Sequence, residues 1–175
     1  MNRNKRQSET INPLDAIRKN HKFHLYLCDA IEDVADGLPA KIDKDWCRRI
    51  LDILPIELSL HHKDEELGLF PLLQKRSIAE DCMPSIINEL EREHLVDTDR
   101  ASELLIPLSD LSSGQSPKQS NVIGCLFHGF VEAYRRHLIR EIDFLLPLAH
   151  KRLIPGDLDF LKLQMIKHRN RSLAI

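Results

Sequence analysis

Along four stretches of the chain, apolar residues recur at alternating steps of three and four, the spacing that keeps one helix face turned toward its partners. The first stretch reads Leu14, Ile17, His21, His24, Cys28, Ile31, Ala35, and the second Cys47, Leu51, Leu54, Leu58, His61, Glu65, Gly68, Leu72. The third reads Met83, Ile87, Leu90, His94, Asp97, Ala101, Leu104, Leu108, and the fourth Ile123, Phe127, Phe130, Tyr134, His137, Glu141, Phe144, Leu148. No period-two strand pattern competes with them. The chain is therefore expected to be all-α, an up-down antiparallel four-helix bundle with a short extra C-terminal helix.

Turn and breaker residues set the expected limits. Asn12 caps and Pro13 opens the first helix, which runs to Asp36-Gly37 and ends at Leu38-Pro39. Asp43 or Asp45 caps a second helix through Trp46 to Phe70, with Pro55 kinking or splitting it near Leu54. The third begins between Ser77 and Pro84, continues to Leu105, and is closed by Pro107. Residues 111–117 form the clearest loop, and a fourth helix covers residues 120–146. A short amphipathic segment at 158–167 is expected to pack across the end of the bundle. Residues 1–11 read as a disordered polar tail and residues 12–170 as a single domain.

Each seam is apolar except in one place, and there it carries histidine with a carboxylate or a second histidine. Two of the interruptions share one order: His, three residues, Glu, three residues, Leu, one residue, Pro, Leu. That order runs from His61 and Glu65 through Pro71, and again from His137 and Glu141 through Pro147. On a helix, a His and a Glu four residues apart project from one face. Each copy is preceded by a helix with an apolar residue four before a His, Ile17 to His21 and Leu90 to His94. The chain thus reads as a duplicated helical hairpin.

Composition narrows the chemistry. A net charge of -2 leaves no polycationic field for nucleic acid or anionic lipid. No apolar run approaches a membrane span, and the polar start lacks a signal peptide's apolar stretch, so cytoplasm is the expected compartment. Cys28, Cys47, Cys82 and Cys125 form no Cys-x-x-Cys unit and read as reduced core residues. There is no His-Glu-x-x-His motif, phosphate-cradling Gly loop or nucleophile elbow.

Seams that face inward bring together His21, His61, Glu65, His94, His137 and Glu141. An ionised Glu in a dry core costs several kcal/mol unless it is paired or metal-bound. With no Lys or Arg on the seams, two glutamates among four imidazoles call for cations. The set fits two ions, each with two His nitrogens and both glutamates bridging; such donors suit iron or manganese, whereas a structural zinc site closes at four ligands. The bland alternative is two surface His–Glu pairs worth a few tenths of a kcal/mol each. On the first helix His24 also lies on the seam and replaces His21 if the spacing match to His94 misleads. His24 and its counterpart Asp97 are otherwise expected to orient ligands. His62 and Glu66 repeat the four-residue step one position round the helix, but only His61 and Glu65 keep the spacing to proline seen in the second copy. Tyr134 reads as core, with a hydrogen bond toward the centre as a lesser option, and His128, His150 and His168 read as surface residues.

The halves His21…His61-x-x-x-Glu65-x-x-x-Leu-Phe-Pro and Glu93-His94…His137-x-x-x-Glu141-x-x-x-Leu-Leu-Pro resemble the bacterial hemerythrin-like (HHE cation-binding) domain. The resemblance covers residues 14–148, with the 158–169 tail as a further extension, and implies a four-helix bundle around two iron ions in an oxo- or hydroxo-bridged di-iron centre, with manganese or zinc as other metals. It implies a small diatomic ligand, oxygen or nitric oxide, and roles in sensing or iron handling. A binding module is expected rather than a turnover enzyme. The alternatives are a ferroxidase or an iron–sulfur-centre repair factor using the same site, and a metal-free helical interaction module. A second copy of the chain, or a separate signalling or client protein, is the expected macromolecular partner. The chain departs from oxygen-carrying hemerythrins at Thr98, where those have a further histidine, which weakens simple oxygen carriage.

Overall fold

Asn12 opens the first helix as its sequence context requires: its Oδ1 accepts the backbone N–H of Leu14 at 3.0 Å, and Pro13 follows where a missing N–H costs nothing. The structure, a computed structural model, describes the backbone of residues 12–172, and every regular element among them is helical. The expected tail at residues 1–11 lies outside the described residues. Helix α1 spans Pro13–Gly37 and stops where Leu38 turns extended. Asp43 caps α2 (Lys44–Asp64) by accepting the N–H groups of Asp45 and Trp46, each at 3.0 Å. Helices α3 (Phe70–Arg76), α4 (Met83–Ser112), α5 (Ser120–Arg140), α6 (Leu146–Arg152) and α7 (Pro155–Ser172) follow.

Two π turns, Glu65–Leu69 and Glu141–Leu145, join α2 to α3 and α5 to α6 without a break. Prolines 71 and 147 therefore do not stop their helices soon after the His–Glu pairs, and the fourth helical path runs on past residue 146. A proline ring in an α-helix meets the carbonyl four residues back. Here the N–H of Phe70 reaches back five residues to the Glu65 carbonyl, and that of Leu146 to the Glu141 carbonyl. The widened turn moves the obstructing carbonyl aside, and the helix continues to Arg76 or Arg152. The extra residue also advances the seam. Phe144, expected in the core, is 45% exposed, while Leu145 and Leu146 are buried in its place.

Prolines inside the other helices are overridden by burial. α2 passes Pro55 unbroken, and α4 continues beyond Pro107 to Ser112 instead of closing there. An interior proline costs about 3 kcal/mol. Leu108 and Leu111, buried beyond Pro107, each recover roughly 2 kcal/mol by leaving water. The C-terminal segment is likewise longer than expected, an 18-residue helix, so five helical paths replace four and a stub.

α1 packs against α2 and α5, and α4 packs against the same two, so these four surround a common interior. α7 lies on α1, α2 and the first π turn. Leu27, Ile31, Leu54, Leu104, Phe127 and Phe130 belong to one apolar cluster, and Leu14, Ile17, Leu69, Leu73, Ile87 and Leu145 to another. In α1 the switch from one cluster to the other falls at His21 and His24, so the polar residues form a layer between two apolar ones. No helix among the described residues is long and apolar enough to cross a membrane.

Candidate metal centre

His21 enters the polar layer from α1, His61 from α2, His94 from α4 and His137 from α5, while Glu65 and Glu141 are the first residues of the two π turns. None of the six is more than 4% exposed. Their donor atoms form two overlapping groups, each within 4.8 Å: His21, His61, Glu65 and Glu141, then Glu65, His94, His137 and Glu141. The two glutamates are common to both. Glu141 Oε2 stands 3.2 Å from His21 Nε2 and 3.5 Å from His61 Nε2, while its Oε1 stands 3.3 Å from His137 Nε2 and 3.8 Å from His94 Nε2. Each oxygen of one carboxylate faces a different pair of imidazoles. Glu65 turns Oε1 to His21 at 3.1 Å and Oε2 to His94 and His61 at 3.4 and 3.6 Å.

These residues fit a metal. The Nε2 atoms of His61, His94 and His137, Glu65 Oε2 and both Glu141 oxygens are buried without a hydrogen-bond partner. Leaving one such group unsatisfied costs roughly 1–3 kcal/mol, more when it is charged, so six together mark a place built for something else. Two donors each about 2.1 Å from one ion, at 90–110° to each other, stand about 3.0–3.4 Å apart, close to the spacings found here.

Without metal, protons hold the layer together. Burial alone pulls the His21 imidazole down, but the adjacent Glu141 and Glu65 carboxylates outweigh it and raise its pKa to about 9. Burial likewise opposes, and the carboxylates likewise win, at His94, raised to about 11 by Glu141, Glu65 and Glu66. The same balance lifts His137 to about 10 through Glu141 and Glu93. Glu141 in turn is held well below the usual carboxylate range by His137, His21 and His61, against its burial.

Around this layer the imidazoles are oriented unequally. His94 Nδ1 donates to Glu66 Oε1 at 2.8 Å and His137 Nδ1 to Glu93 Oε2 at 2.8 Å, which turns each Nε2 inward. Arg140 Nη2 donates to the same Glu93 oxygen. His21 Nδ1 has no partner at all. His24 lies outside both donor groups. Burial keeps the Tyr134 phenol protonated, so it donates to His24 Nδ1 at 2.9 Å rather than reaching the centre, while burial holds the His24 pKa down at about 2. Asp97 faces His137 Nδ1 at 4.0 Å, and His62 stacks on His94 at 3.9 Å between ring centres.

Several supporting residues escaped the sequence reading. Glu66 and Glu93 sit one position off the seams, where a charged residue next to a seam donor looks like an ordinary helix surface. His168, expected on the surface, is buried and its Nδ1 donates to Asp64 Oδ1 at 2.9 Å; His128 and His150 are exposed as expected. Cys28 and Cys47 are buried, but Cys82 and Cys125 are exposed rather than core, and all four are free thiols. The duplication also extends further than the His–Glu motif. At the 76-residue offset of His61 and His137, Arg76, Ile78 and Asp81 recur as Arg152, Ile154 and Asp157. The two sets pair crosswise, Arg76 Nε to Asp157 Oδ2 and Arg152 Nε to Asp81 Oδ2, both at 2.8 Å.

The hemerythrin HHE cation-binding domain matches residues 12–149, and the chain belongs to that family. An uncharacterized protein of Haemophilus influenzae is 35% identical over 82 residues, which are 47% of this chain. That match spans 44% of the relative's own length.

Proposed function

From its family and the geometry of its six inward donors, we propose that this chain is a di-iron binding protein that takes a small diatomic ligand. His21 and His61 would hold one ion, His94 and His137 the other, with Glu65 and Glu141 shared. The observation that carries this reading is the pair of overlapping donor groups with Glu65 and Glu141 in common, each buried and short of partners. Such a set offers each ion four protein donors, short of an octahedral shell, and imidazole with carboxylate suits iron. Iron held there supplies redox chemistry and open positions for oxygen or nitric oxide.

The protein's own residues do the rest. Glu65 and Glu141 offset the cationic charge in a layer that excludes water, and Glu66 and Glu93 hold His94 and His137 with Nε2 inward. The two apolar clusters on either side keep the layer dry. Residues 12–170 would work as one domain, in the cytoplasm, with any signal passed to a separate protein or a second copy.

Elemental analysis after expression with added iron tests the proposal: about two irons per chain are expected, as in other bundle carboxylate centres. A folded protein that retains no metal rejects it.

A further inference from the structure

Helix α7 lies beyond the residues that match the family, yet it reaches the backbone that carries Glu65. Its contacts fall on both sides of that residue. Just before Glu65, Asp64 is 3% exposed and accepts from His168 Nδ1 at 2.9 Å and from Arg169 Nη1 at 2.6 Å. Just after it, within the π turn, Gly68 meets Leu161: a Cβ at position 68 would stand 2.8 Å from Leu161 Cδ1. Leu161 is fully buried, so its side chain has little room to give way. At the near end of α7, Asp157 takes Arg76, which stands at the end of α3, so the helix is tied down on both sides of the turn.

Among the described residues, the second π turn has no counterpart of the contacts at Asp64 and Gly68. At the 76-residue offset, Gly68 corresponds to Phe144, which is 45% exposed, and Asp64 to Arg140, which bonds Glu89 and Glu93 on α4 instead. A π turn is a widened, less regular turn, and one glutamate of each motif sits at its start. We propose that α7 is a positioning brace for Glu65: Leu161 against Gly68 and the Asp64 tethers to His168 and Arg169 fix the first π turn so that the carboxylate faces both metal positions. Gly68 is a glycine because α7 crosses there, whereas at the equivalent place in the second turn Phe144 is half-exposed.

The inference rests on the metal reading, and a size-swap experiment separates the two. Wild type, Gly68→Leu, the double variant Gly68→Leu/Leu161→Ala and Phe144→Ala are loaded with cobalt(II). Affinity is read by chelator competition and geometry by the visible absorption of the bound ion. Gly68→Leu should weaken cobalt binding by about tenfold or more and alter the spectrum, the scale on which outer supports of metal ligands act. The double variant should recover both, and Phe144→Ala should match wild type. If Gly68→Leu does not fold, Asp64→Ala removes both tethers without adding bulk and is read the same way. Wild type that binds no cobalt overturns the metal reading and the brace with it. Wild type that binds while the folded Gly68→Leu or Asp64→Ala protein keeps wild-type affinity and spectrum overturns the brace alone.

Discussion

The two halves of the centre carry equivalent donors on unequal supports. On one side His94 and His137 are each backed by a carboxylate, Glu66 and Glu93, at 2.8 Å. On the other, His21 Nδ1 has no partner and His61 rests on neighbouring rings, 4.9 Å from both His21 and His24. The backbone shows the reverse bias: the π turn of Glu65 is covered by α7, while that of Glu141 carries the exposed Phe144. Duplication accounts for what the halves share, namely inward donors, π turns and the crossed Arg–Asp pairs. Their differences are local and lie where only one copy has a neighbour. An imidazole whose second nitrogen is held by a carboxylate has a fixed orientation and greater basicity, so the His94–His137 position is expected to bind its ion more tightly.

The shared glutamates give the harshest test of this pairing. Glu141 faces all four imidazoles, so Glu141→Gln should strip metal from both positions, seen as iron per chain falling from about two to well below one. Next come the unshared ligands. His137→Ala and His61→Ala should each remove about one iron and leave the other, because each imidazole belongs to only one of the two donor groups. Loss of both ions from either would mean that the halves do not act separately. Removing a backing carboxylate should do less: Glu93→Ala should weaken the His94–His137 ion by about 10–100-fold in chelator competition and leave its neighbour nearly unchanged.

The effect of pH is smaller and has a definite sign. In the metal-free protein the folded pKa values of His21, His94 and His137 are raised to about 9, 11 and 10, above the ordinary imidazole value of 6.5. Their stabilisation is complete below pH 6.5 and is lost as pH rises through those values. Metal-free protein should therefore melt at lower temperature as pH is raised from about 6.5 toward 10, while metal-loaded protein holds steady, since the ion replaces the protons. Metal binding near pH 7 should accordingly release protons, measurable by calorimetry in two buffers. The smallest effect is expected at the open turn, where Phe144→Ala should change stability by no more than about 0.5 kcal/mol in a denaturant melt.

Much of the centre was legible because His61, Glu65, His137 and Glu141 repeat at one offset, and because an apolar seam makes each polar interruption conspicuous. The α1 limits were legible too, since Asn12, Pro13 and Gly37 act through local backbone chemistry. Pro71, Pro107 and Pro147 do not end their helices, because proline speaks only for its own turn. Burial of Leu108 and Leu111, or a π turn just upstream, decides whether the helix continues. Phe144 was misplaced for the same reason, as one inserted residue rotates everything after it. His168 and Asp64 lie 104 residues apart, and only packing of α7 brings them together. The crossed Arg–Asp pairs follow the same 76-residue offset, but they lie beyond the prolines that close the His–Glu motif.

Titration of metal-free protein with ferrous iron under anaerobic conditions, followed by calorimetry, tests the shared-carboxylate centre most directly. Wild type should take up about two equivalents and Glu141→Gln should lose both binding events, because one carboxylate serves both ions. A single equivalent in wild type, or two retained by the variant, would contradict a centre built around shared Glu65 and Glu141.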